Sequence, residues 1–395
     1  MYSLFWLLLP VAAASGWFAA RKALQPKPIK RTFASDYFQG LNYLVNDQPD
    51  KAIEVLSRMV ETDADTVDTH ITLGSLFRRR GEVDRAIRLH QAVVSKPGVD
   101  DEHRAHAMLE LARDYVRAGL LDRAEALLLD LTEHPVRGEA ALRVLLSLLQ
   151  IEKEWEKAID VAHKLRARTG ENLNQVVAHY HCELAEVAHA RHDTERRAHH
   201  LAQALESDPR CVRASMLESR AAADEGDVIA AIRALRRVAE QDAQFVGDTL
   251  EPLTHLYFRS GQRAEFENYL DDLVRRHGDV RAALALSQLI EAQRGSHDAG
   301  LYLATLLMQT PSLRALRRLV ELTLRDEAGA ELKDPLRVIH GVLERHLEKQ
   351  PLYRCQQCGF RGRALHWLCP GCKSWSTVKP LSAGTGETAL VPSVS

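Results

Sequence analysis

The sequence predicts an all-α chain of stacked helix pairs, flanked by an N-terminal membrane-spanning helix and a small C-terminal module folded around a metal ion. Three observations predict it: a positional repeat of 34 residues, an uncharged stretch from Met1 to Ala20, and four cysteines within residues 355–372. Composition agrees. Ala, Leu, Arg and Glu dominate, Pro and Gly number only 14 and 21, and aromatics are 6%, a mix that favours helix. Period-2 alternation of Val, Ile and Thr is scarce, so a sheet of any size lacks its signal. At 395 residues and 46% apolar the chain exceeds one small core, and two or more folding units are expected. The 52 Lys plus Arg nearly cancel the 54 Asp plus Glu, which removes the broad electrostatic case for a nucleic-acid partner.

The first element is "MYSLFWLLLPVAAASGWFAA". About 20 helical residues rising roughly 1.5 Å each cover a hydrocarbon core of roughly 30 Å. Arg21, Lys22, Lys27, Lys30 and Arg31 follow it and no Lys or Arg precedes it, so the positive-inside bias puts the bulk of the chain on the cytoplasmic side. A cleaved signal peptide competes, because Ala12 to Ala14 offers small residues of the A-x-A kind. The missing basic n-region and the charge on the wrong flank argue against it.

The second element is the repeat. Gly40 and Gly74, Tyr43 and Phe77, and Ala52 and Ala86 are each 34 residues apart. Ala112, Tyr115, Gly119 and Ala124 repeat the offsets after a four-residue insertion at "KPGVDDEH". Degenerate units follow from Glu139 with Ala158, His179 with Ala198, Val212 with Gly226 and Ala231, Gly247 with Tyr257 and Gly261, and Arg281 with Gly295. Small, aromatic and small at these offsets is the tetratricopeptide pattern. It predicts a tetratricopeptide-repeat superhelix of about eight units from Phe33 to Pro311, with helical residues 312–349 holding a ninth, irregular one. Two short helices per unit cross closely at the small residues, and the aromatic fills the gap beside them. Gly81, Gly119, Gly226 and Gly261 read as left-handed helix ends.

The third element is "YRCQQCGFRGRALHWLCPGCKSW". Cys355 and Cys358 form one C-x-x-C and Cys369 and Cys372 another, with ten residues between. Two such knuckles supply four thiolates to one ion, so these four are the candidate metal ligands of a rubredoxin-like zinc ribbon. Iron takes the same ligand set. Four thiolates close the coordination shell, which makes the metal structural. Structural disulfides conflict with a cytoplasmic location, and a redox dithiol needs only one C-x-x-C. Tyr353, Phe360, Trp367, Leu368 and Trp375 interleave the ligands and are expected to form the module's own mini-core. Gly359 and Gly371 suit backbone that brings amides toward the sulfurs.

The remaining reactive-looking residues have plain readings. His179, His181, Cys182, His189, His192, His199 and His200 crowd one region, and His179 with Cys182 could form a metal pair at i, i+3. Ordinary helix-surface or inter-repeat histidines explain them as well. Cys182 and Cys211 read as small buried apolar residues. Arg78 to Arg80 fall at a helix end, where cations complement the dipole. No nucleophile elbow, zinc-protease helix, phosphate loop or dinucleotide loop is present, so no catalytic constellation is expected. The domain reading is an anchor at 1–21, a basic juxtamembrane linker at 22–32, repeats at 33–349, the four-cysteine module at 350–380 and a flexible tail at 381–395.

An anchor, a tetratricopeptide array and a terminal four-cysteine module, in that order, resemble the lipopolysaccharide assembly protein B family of Gram-negative bacteria. "FWLLLPVAAASGW", "LGSLFRRRGEVDRAIRLHQ", "EWEKAIDVA" and "YRCQQCGF…HWLCPGCKSWSTVKP" carry the resemblance. It implies a single-pass inner-membrane adaptor that brings the committed-step deacetylase of lipid A synthesis (LpxC) to the membrane protease FtsH. It also implies an inner-membrane anti-adaptor that senses lipopolysaccharide, contacts with other lipopolysaccharide assembly proteins, a homodimer, and a metal module packed on the repeats. A non-proteolytic scaffold for lipopolysaccharide synthesis and transport proteins is the alternative function.

Overall fold

Helix pairs account for nearly all of the described chain. The computed structural model describes residues 17, 33–46, 48–62, 67–325 and 333–381. The expected anchor and linker, apart from Trp17, and all of the expected tail but Leu381, lie outside these residues. Among the described residues, no helix is long and apolar enough to cross a membrane. The chain divides into two units, Met1–Leu148 and Leu149–Ser395.

The first unit contains α1 (Phe33–Val45), α2 (Pro49–Thr62), α3 (Val67–Arg80), α4 (Val83–Ser95), α5 (Asp101–Ala118), α6 (Leu121–Leu131) and most of α7 (Gly138–Glu152). The small positions lie where the offsets place them. A Cβ on Gly40 would come 2.9 Å from Leu56 of α2, and one on Gly74 would come 2.5 Å from the His90 ring of α4. Such approach distances admit no side chain beyond hydrogen. Ala52, Leu56, Leu73, Phe77 and Ala86 close into one apolar cluster around these crossings. The insertion is the loop between α4 and α5. Asp100 ends it by accepting a bond from the His103 amide, which caps α5. Gly119 terminates the same helix at φ 76°, a conformation that costs glycine little.

Arg78 departs from the dipole reading. Its guanidinium donates to Asp114 at 2.8 Å and to Glu110 at 2.5 Å, both on α5. Asp114 also faces Nδ1 of His90 at 2.5 Å, and the other ring nitrogen of His90 lies 3.0 Å from the Ile71 carbonyl. The ring thus bridges Asp114 of α5 and the Ile71 carbonyl of α3. Arg113 and Ser75 complete the shell around Glu110. Burial pushes the Glu110 carboxyl up, but Arg78, Arg113 and Ser75 outweigh it and hold it below the usual range. These charges join α3, α4 and α5, which sequence spacing alone did not link.

The second unit continues with α8 (Trp155–Thr169), α9 (Asn174–Ala190), α10 (Thr194–Ser207), α11 (Val212–Asp224), α12 (Val228–Gln241), a 3-10 turn (Ala243–Phe245), α13 (Val246–Ser260), α14 (Arg263–His277), α15 (Val280–Arg294) and α16 (Ser296–Gln309). A further pair follows, α17 (Leu313–Arg325) and α18 (Lys333–Lys349). Tyr257 and Phe266 stack at 4.9 Å in the centre of one cluster with Leu253 and Leu270. Gly247 serves differently from Gly40: a Cβ there would collide with the Arg281 guanidinium, which crosses α13 to reach the Gln244 carbonyl at 2.8 Å.

After α18 the chain forms a three-stranded antiparallel ribbon, β1 (Tyr353–Cys355), β2 (Arg361–Gly362) and β3 (Val378–Pro380), in the order β2-β1-β3. Tyr353 pairs with Gly362 on one side and Pro380 on the other. The fold is thus mostly helical, a tetratricopeptide-like array followed by a small zinc-ribbon-like strand module.

Candidate metal centre

Each C-x-x-C turns back on itself. In the first, the Cys355 amide donates to the Phe360 carbonyl at 2.7 Å, the Gly359 amide donates to the Cys355 carbonyl, and Gly359 sits at φ 76°. The Cys358 amide then points at the Cys355 sulfur at 3.4 Å. In the second, the Cys369 amide donates to the Ser374 carbonyl and the Lys373 amide donates to the Cys369 carbonyl, at 3.0 and 2.9 Å. Gly371 acts through space, not backbone freedom: a Cβ there would lie 3.2 Å from the Cys358 sulfur.

These turns bring the four sulfurs of Cys355, Cys358, Cys369 and Cys372 within 4.8 Å of one another. Cys355 to Cys372 and Cys358 to Cys369 are each 3.7 Å apart. Four sulfurs at about 2.3 Å from a tetrahedral Zn²⁺ stand about 3.8 Å from each other, whereas a disulfide requires about 2.05 Å. The donors therefore fit one tetrahedral ion. The Cys358 amide and the Thr377 hydroxyl draw the Cys355 thiol down to about 6, toward the thiolate a metal needs. Cys355 and Cys369 are buried, Cys372 is half-buried and Cys358 is exposed. Among the described residues no other group of three or more metal-ligating side chains converges this way.

The aromatic residues between the ligands divide their work. Tyr353 and Phe360 pack against the ribbon core of Cys355, Cys369 and Val378. Trp367 and Trp375 turn outward onto the helices, contrary to the expected mini-core, because so short a ribbon cannot enclose two indoles. Trp375 stacks on His179 at 5.0 Å, meets Tyr180 and Trp155 edge-on at 6.0 and 6.2 Å, and donates its indole N–H to Gln150 at 2.9 Å. Trp367 stacks on Phe245 at 5.4 Å. Polar bonds frame these contacts: His179 with Ser376 at 2.7 Å, Lys379 to Asp242 at 2.8 Å, Tyr353 to Asp248 at 3.0 Å, and Arg363 to the Glu348 carbonyl.

Residues 353–380 match the rubredoxin metal binding domain family, and residues 182–244 match a tetratricopeptide repeat family. Lipopolysaccharide assembly protein B of Escherichia coli strain K12 is 38% identical over 384 residues, covering 96% of this chain and 98% of its own length. The chain belongs to the lipopolysaccharide assembly protein B family. The Haemophilus influenzae member is 34% identical over 97% of this chain and 99% of its own length. Among solved structures, the crystal structure of MamA protein is 21% identical, covering 46% of this chain and 95% of its own, with a TM-score of 0.32.

In this member of the lipopolysaccharide assembly protein B family, the resemblance implied that the metal module packs on the repeats, but the residues of its seat were not read from the sequence. His179, read there as an ordinary helix-surface or inter-repeat histidine with a metal pair to Cys182 as the alternative, is buried and stacked under Trp375. Cys182 is buried and faces Cys211 at 3.9 Å, with small alanines around both. One signal pointed to the seat: Trp155 is the single tryptophan between Trp17 and Trp367.

Burial, then the nearby Arg213 and Lys379, holds the His179 imidazole down to about 3 from 6.5. The docked ring is neutral, while an undocked one takes up a proton below 6.5. Docking is therefore undiminished above that pH and falls as the pH drops through it, by about 1.4 kcal/mol per unit. Urea titrations of tryptophan emission at pH 7.5 and 5.5, with zinc content checked at both, should show this loss. His179→Gln should flatten the dependence, and an equal pH response in that variant refutes the assignment.

Proposed function

We propose that this chain is a non-enzymatic adaptor in lipopolysaccharide assembly, held at the inner membrane by residues 1–21 with its bulk on the cytoplasmic side. In this reading it presents the lipid A committed-step deacetylase LpxC to the protease FtsH, and a lipopolysaccharide-sensing anti-adaptor and a second copy of the chain are further partners. The observation that carries the reading is the near full-length similarity to relatives named for lipopolysaccharide assembly.

Two physical features support it. Repeated helix pairs present long surfaces suited to other proteins, and a metal held by four thiolates has no open position for a substrate or an activated water. Cys355, Cys358, Cys369 and Cys372 would hold zinc, which would supply folding energy to the module that Trp375 seats on His179 and Tyr180 of α9. Anchoring adaptor and protease in one membrane raises the effective concentration of bound substrate.

The test is the cellular half-life of the deacetylase with and without this chain, which should lengthen when the chain is absent. A soluble version lacking Met1 to Arg21 should still bind the deacetylase and fail to accelerate its loss. Unchanged half-lives throughout would favour a scaffold without a proteolytic role.

A further inference from the structure

A second cluster of metal-ligating side chains lies away from the thiolates. His181 on α9 and His200 on α10 turn their Nδ1 atoms toward each other at 3.4 Å, with ring centroids 5.6 Å apart. That separation is longer than the usual 2.7–3.2 Å of an N–H hydrogen bond to a good acceptor. It equals, to within about 0.1 Å, the spacing of two imidazole nitrogens that share a tetrahedral ion at about 2.0–2.1 Å. His199 adjoins them, its ring 5.4 Å from that of His200.

The electrostatics suit neutral ligands. Burial first, then His200, His199 and His163, push the His181 imidazole down to about 4, and burial with His199 also lowers His200. Glu156 of α8 acts on His200 in the opposite sense, as a carboxylate beside a cation would, and Arg196 opposes it. A ring without a proton on the facing nitrogen offers its lone pair at neutral pH. His181 and His200 are half-buried, and His199 and His163 are exposed, so an ion reaches the pair from solvent.

We propose that His181 and His200 form a second, surface metal site for a divalent transition ion of the imidazole-binding class, such as Zn²⁺, with water completing the shell. Imidazole pairs suit Zn²⁺, Ni²⁺ and Cu²⁺ and do not suit Mg²⁺ or Ca²⁺. An ion there would join α9 to α10 by a cross-link that exists only in the folded chain, so it stabilises the fold by mass action.

The probe is Zn²⁺ added to untagged full-length protein that already carries one zinc at the thiolates. Equilibrium dialysis should find a second equivalent, and Zn²⁺ should raise the thermal midpoint while Mg²⁺ does not. His181→Gln and His200→Gln should each lose the second equivalent and the thermal shift while keeping the first. His255→Gln, on α13, should keep both. Uptake that stops at one equivalent, or a second equivalent that survives in both variants, overturns the proposal.

Discussion

Replacing Cys355 and Cys358 together by serine is expected to empty the metal centre, unfold the ribbon and free its seat on the helices. The ribbon's core consists of Cys355, Cys369 and Val378, so two of its three buried members are themselves ligands. Its strands hold only two or three residues each. Structural zinc contributes about 10–16 kcal/mol to small modules of this kind, more than such short strands can replace. Without the ion, Trp375 and Trp367 should leave His179 and Phe245 for solvent. Elemental analysis should fall from one metal per chain to none at the thiolates, tryptophan emission should shift to the red, and helical circular dichroism should persist. A chelator strong enough to strip the wild-type should reproduce the change. Retention of one thiolate-bound metal, or an unmoved tryptophan spectrum, would contradict the expectation.

Asp114→Ala should be the most damaging single substitution in the first unit. The Asp114 side chain is fully buried, and its two oxygens serve Arg78 and His90 separately. Removing it takes one of Arg78's two carboxylate partners and leaves Nδ1 of the buried His90 without its partner. Breaking a buried ion pair from one side costs about 3–5 kcal/mol. For a unit of this size that corresponds to about 10 °C in the unfolding midpoint. Asp271→Ala makes the control, because it breaks an exposed pair with Arg275, which should cost under about 1 kcal/mol. Equal stability of the two variants would show that the network does not bind α3, α4 and α5 together. Acid should act in the same direction on Glu110. Its lowered carboxyl contributes stability that is present above its ordinary 4.5 and is lost as the pH falls through the depressed value.

The repeat was legible because its constraint is local. Gly40, Gly74, Ala52 and Ala86 lie at helix crossings where a larger side chain has no room, so a spacing of 34 residues survives in the sequence. The four thiolates were legible for a similar reason: a C-x-x-C turn puts two sulfurs on one side by its own geometry. In the later repeats a small residue serves other contacts, as where the Arg281 guanidinium crosses Gly247. Long-range partners left no spacing to read. Arg78 stands 36 residues from Asp114 and His179 stands 197 from Ser376, and no periodic pattern links either pair.

The amino-acid sequence by itself determined the helix pairs, their order and the ligand set of the ribbon, because each follows from contacts within a turn or a single repeat. Only the tertiary structure decided where the two tryptophans of the ribbon go, which charges are buried together, and that His181 meets His200. Those choices depend on which surfaces remain uncovered once the helices have packed. That is a property of the assembled unit and of no segment in it.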